Sequence, residues 1–126
     1  MRYRQVHVHM NNMNNMHNIN KKLDTIHHTA IQVKNIAASV SWYTERFACE
    51  VTYQDDTWAI LQFANTSLAL VIPEQHPYHF AILADDLTPY GQAVPHRDGT
   101  RSVYIKDQDG NQVEMLQLPE HTPKCE

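Results

Sequence analysis

The chain has 126 residues, 42% of them hydrophobic, and a formal charge of -4, which is enough apolar material for one domain with its own core and too little length for two. Lys and Arg are scattered without a basic run or face, which argues against nucleic acid and an anionic membrane surface and leaves a small molecule or a protein as partner. Cys49 and Cys125 lie far apart and give no disulfide framework, and neither a membrane-spanning run nor a signal-peptide centre is present, so the expected location is the cytoplasm.

Residues 1–22 are rich in Asn, Met and His and show neither a helical nor a strand period; they are expected to be disordered. Met10, Met13 and Met16 are alternative starts, and His7, His9 and His17 are assigned no function. From Thr25 a strand alternation sets in that puts His27 and His28 on opposite faces. Asn35 can cap a helix on which Ile36, Val40, Tyr43 and Phe47 form an apolar stripe. Strands follow near 50–54, 57–63 and 67–72, separated by the polar turns at Asp55-Asp56 and Ala64-Asn65-Thr66 and ended by Pro73.

This β-α-β-β-β order then starts again. His79-Phe80-Ala81-Ile82 repeats the His-x-Ala-Ile pattern of His28-Thr29-Ala30-Ile31 at the head of a strand near 78–83. Its helix is cut short by Pro89 and Gly91, and strands near 93–96, 101–107 and 111–118 follow, with tight turns at Asp98-Gly99 and Asp109-Gly110. Glu114 stands alone in an apolar strand, where a carboxylate is costly unless something pairs with it or it coordinates a cation. His28 and His79 are the candidate partners; His27 and His76 are rivals in register, ranked lower because the motifs align on the second His of each pair, and Glu74 is expected to face solvent.

Together these residues resemble the vicinal oxygen chelate superfamily, which includes glyoxalases, bleomycin-resistance proteins, fosfomycin-modifying thiol transferases and extradiol dioxygenases. The resemblance is carried by His28, Val33, Asn35, Ser39, Trp42 and Tyr43, by His79, and by Tyr104, Asp107, Asp109, Gly110, Asn111 and Glu114. Ala48 and Gln108 depart from it, standing where the family usually has Gly and Pro. It implies an α+β fold of paired βαβββ modules forming a curled mixed sheet over residues 23–119, the second module with a shortened helix and residues 120–126 a tail. It also implies a divalent metal held by His28, His79 and Glu114, with the fourth ligand position falling on 68–72, where no side chain can coordinate. Two histidines, one carboxylate and open positions suit Fe(II) or Mn(II), with Zn(II) or Ni(II) as alternatives. His96 and Tyr104 match the residues that assist proton transfer and substrate binding in extradiol dioxygenases. The implied protein is a homodimer, its ligands drawn from one subunit or both. Its function is dioxygenase-like, on a small substrate with adjacent oxygens; a glyoxalase-like lyase, isomerase or thiol transferase and a non-catalytic drug-binding module are the alternatives.

Overall fold

The computed structural model describes residues 22–119. The N-terminal segment up to residue 21 and the tail from 120, with His7, His9, His17 and Cys125, lie outside the described residues. The elements run β1 (Ile26–Gln32), α1 (Ile36–Arg46), β2 (Glu50–Gln54), β3 (Trp58–Gln62) and β4 (Ser67–Val71). The second half continues as β5 (His79–Leu83), a 3-10 turn at Thr88–Tyr90, β6 (Val94–Pro95), β7 (Arg101–Lys106) and β8 (Gln112–Gln117). All eight strands form one mixed sheet in the order β2-β3-β4-β1-β5-β8-β7-β6, so the two modules meet where β1 pairs antiparallel with β5 in the same chain. No helix among the described residues is long and apolar enough to cross a membrane.

Strand alternation gives the sheet two unlike faces. On the convex face, α1 presents Ile36 and Val40 to Ala59, Leu61 and Leu70. The helix starts where Asn35 Oδ1 accepts the backbone N–H of Ala38 at 2.8 Å. It ends at Phe47, whose φ of -130° carries the chain off in extended conformation. That exit requires no left-handed residue, which is why Ala48 can stand where a glycine would be usual. The apolar stripe is shorter than its spacing predicts: Phe47 lies past the last turn and is 48% exposed. Over the second module Leu87, with Ala84 and Ala93, packs against Val103 and Met115, and the helix is reduced to a 3-10 turn, as the interrupting Pro89 and Gly91 predict.

The β2–β3 turn is organised by Asp55. Its Oδ1 accepts from Thr57 N at 2.8 Å, Thr57 Oγ1 at 2.9 Å and Trp58 N at 3.0 Å, and its Oδ2 accepts from the Tyr53 hydroxyl at 2.6 Å. Arg97 Nη2, 3.0 Å from Oδ2, ties this turn to the loop after β6. Partial burial works to raise the Asp55 pKa, but the hydrogen bonds from Tyr53, Thr57 and Trp58 outweigh it and bring it from 3.8 down to about 2. Asp55→Ala is therefore expected to cost about 2 kcal/mol at neutral pH. A depressed folded-state pKa stabilises above its ordinary value, so the advantage of Asp55 shrinks as pH falls from 3.8 toward about 2. Melting curves of both proteins across that window should converge; an undiminished gap at the acid end would contradict the assignment.

Candidate metal centre

The repeated His-x-Ala-Ile motif gains its physical reason from the pairing of β1 with β5. In that antiparallel register His28 lies opposite Ala81 and Ala30 opposite His79, so each imidazole stands beside a methyl group. Ala81 in turn pairs with Glu114, and Glu114 with Tyr104, which makes a row across the concave face in which His28 reaches over Ala81 to the carboxylate. A larger residue at 30 or 81 would fill the space the rings use.

The three expected ligands converge. His28 Nε2 is 3.2 Å and His79 Nε2 3.1 Å from Glu114 Oε1, with exposures of 6%, 8% and 5% for His28, His79 and Glu114. Their donor atoms all lie within 4.8 Å of one another, on strands of one chain. Burial works to raise the Glu114 pKa, but the two imidazoles of His28 and His79 that face its Oε1 outweigh burial and hold the carboxyl well below the usual range.

The proton arrangement tests whether this set fits a cation. His79 Nδ1 lies 2.7 Å from the Pro77 carbonyl, which can only accept, so Nδ1 carries a hydrogen and Nε2 is the nitrogen available to bind a cation. A histidine whose outer nitrogen donates to a backbone carbonyl while its inner nitrogen faces an ionised carboxylate has the usual arrangement of a metal ligand. The donor set fits a divalent ion.

The fourth position follows from register. Glu114 pairs with Ala81, two residues after His79; by the same count in the first module, Ala69 pairs with Ala30, two residues after His28. The counterpart of Glu114 is thus Ala69, a buried methyl group beside the site.

His96 and Tyr104 also arrive. His96 Nε2 is 2.7 Å from Ser102 Oγ and 3.8 Å from Glu114 Oε2. The Tyr104 hydroxyl is 3.2 Å from His76 Nδ1 and 3.4 Å from both nitrogens of His79. Burial, and then the Glu114 charge, push the phenol pKa up from 10.0, so Tyr104 stays protonated.

One sequence expectation needs correction. The strand alternation of β1 fails at His27, because the register slips between Ile26 and His28 against β5. That bulge brings His27 Nδ1 to 2.9 Å from His28 Nδ1 instead of turning it to the opposite face. His76, ranked below His79 as a ligand, stands outside the ligand group and in the wall of the site: it stacks on Trp58 with centroids 6.0 Å apart and touches Tyr104. Burial lowers the pKa of His27 and of His76, keeping both rings neutral. All five histidines of residues 22–119 gather here, and the signal available in the sequence was their doubling, His27 with His28 and His76 with His79. Trp58 gave no signal at all. Beside the ligands opens a cavity of about 350 Å³, walled by Trp58, Ile60 and Leu116 with Thr52, Gln62 and Ser67.

The family model for the glyoxalase/bleomycin resistance protein/dioxygenase superfamily matches residues 25–89, from β1 through the 3-10 turn. The chain belongs to this superfamily. Among solved structures, one similar to it is a hypothetical protein from Bacillus halodurans C-125, with TM-score 0.65, 17% identity, and coverage of 82% of this chain and 100% of that one. Another is a glyoxalase/bleomycin resistance protein/dioxygenase superfamily member from Vibrio splendidus 12B01, with TM-score 0.56, 15% identity, and coverage of 75% and 99%. At these identities the likeness shows the superfamily fold alone. No curated protein gives a significant match.

Proposed function

We propose that this superfamily member is a metal-dependent, extradiol-dioxygenase-like enzyme, in which His28, His79 and Glu114 hold one Fe(II) or Mn(II) and a small substrate with adjacent oxygens fills the neighbouring cavity. The observation that carries this reading is the register that makes Ala69 the fourth position, since a two-His, one-carboxylate set leaves coordination positions to substrate and oxygen. A bound ion of this kind supplies Lewis-acid polarisation of the two substrate oxygens and, as Fe(II), an electron source.

The chain's own residues do the rest. The Tyr104 phenol, held protonated, donates a hydrogen bond at the edge of the site. His96, held by Ser102 and with its Nε2 3.8 Å from Glu114 Oε2, accepts and returns a proton. Trp58, Ile60 and Leu116 exclude water and pack an apolar substrate body. A homodimer and a cytoplasmic location belong to the same proposal; the first rests on the resemblance and the second on composition.

The test is metal content of anaerobically purified protein beside oxygen uptake over a series of catechols. His96→Phe is expected to retain metal and slow turnover by about 10²-fold or more, since it removes a proton-transfer group and no ligand. Metal without oxygen uptake on any catechol would move the assignment to the lyase, isomerase or thiol-transferase alternatives.

A further inference from the structure

We infer that His27 is a positioning residue for the centre proposed above: its Nδ1 accepts the Nδ1–H of His28 and so keeps His28 Nε2 as a lone pair aimed at the cation. The inference rests on that metal reading and extends it to a residue outside the ligand set. The bulge in β1 is its first support. Regular alternation would send the two rings to opposite faces, and the register slip between Ile26 and His28 instead sets them edge to face, with centroids 5.2 Å apart and the two Nδ1 atoms 2.9 Å apart. At that distance one nitrogen donates and the other accepts, so a single proton is shared between the rings.

The second support is a competition that His28 faces and His79 does not. His28 Nε2 is 3.2 Å from Glu114 Oε1, so an Nε2–H tautomer would hydrogen-bond the carboxylate directly and close the site to a metal. For His79 that tautomer is blocked by the Pro77 carbonyl, which needs a hydrogen on Nδ1. Among the described residues no backbone carbonyl fills this role for His28; the group on its outer nitrogen is the side chain of His27. An acceptor there selects the tautomer with the free Nε2, whereas an apolar side chain would release the proton to Nε2 and favour the self-paired, metal-excluding state. The two ligands are thus oriented by different means, one fixed by the main chain and one by a replaceable side chain.

The experiment compares wild type, His27→Leu and His27→Asn by Mn(II) titration against a chromogenic chelator, with Co(II) absorption spectra and metal-free melting curves alongside. Asn places a carbonyl oxygen near the position of Nδ1, so His27→Asn should bind Mn(II) within a few-fold of wild type. His27→Leu should bind with the same stoichiometry but about 10- to 100-fold more weakly, with an altered Co(II) spectrum and little change in metal-free melting temperature. If His27→Leu does not fold, His27→Ala takes its place with the same expectation. Wild-type affinity in the Leu or Ala variant overturns the role of His27, and so does an Asn variant as weak as Leu, which would trace the loss to packing around the bulge. A wild-type protein that binds neither Mn(II) nor Co(II) overturns the metal reading itself, and the two failures are thereby distinct.

Discussion

Glu114→Gln should strip the protein of its metal while leaving the fold in place. The amide keeps the shape of the carboxylate on β8 but removes the charge that faces His28 and His79 at 3.2 and 3.1 Å. A neutral carbonyl oxygen is a poor ligand for a divalent ion, so the loss of affinity should exceed the roughly 10- to 100-fold that removal of an outer-shell partner produces. The metal-free protein should report the same substitution through pH. Because the folded-state pKa of Glu114 is held below its ordinary 4.5, its ionised form stabilises the fold above that value and the contribution is lost as pH falls beneath it. Glu114→Gln should therefore be less stable than wild type at neutral pH, with a flatter acid limb below about pH 4.5. Elemental analysis after dialysis and melting curves across that range measure both effects. Full metal occupancy in Glu114→Gln would refute the site.

Ala69→Glu should turn a silent position into a ligand at a cost visible only without metal. Ala69 is 2% exposed, and by register it occupies the place in the first module that Glu114 holds in the second. A carboxylate added there enters a closed wall that already holds the Glu114 charge, so the metal-free variant should lose about 3 to 5 kcal/mol, the usual cost of an uncompensated buried charge. Ala69→Gln carries nearly the same volume without the charge, and the difference between the two variants isolates the electrostatic part from overpacking. Added Mn(II) or Ni(II) should then raise the melting temperature of Ala69→Glu by much more than that of wild type, since the ion supplies the missing partner. Equal metal-induced shifts in wild type and variant would show that position 69 does not reach the centre. Loss of any oxygen uptake alongside tighter metal binding would link catalysis to the open position.

Much of this site was legible along the chain because its chemistry is expensive. A carboxylate in an apolar strand announces a partner, so Glu114 stood out, and the doubled His-x-Ala-Ile pattern marked His28 and His79 as its partners before any pairing was known. The strands, the Asn35 cap and the stunted second helix were equally readable, since each follows from local period, capping chemistry or the interruption by Pro89 and Gly91. The apolar residues 68–72 excluded a fourth ligand in any register; only the pairing of β4 with β1 singled out Ala69. The tertiary structure alone decided the rest, and for one reason: side-chain direction and proximity depend on which strands pair and where a ladder slips. Alternation sends His27 away from His28, and one bulge against β5 reverses that. Trp58 and His76 meet face to face because Trp58 pairs with Val71 at the end of β4 and the turn that follows brings His76 back, its N–H donating to the Ile72 carbonyl, a meeting set by the β3–β4 register.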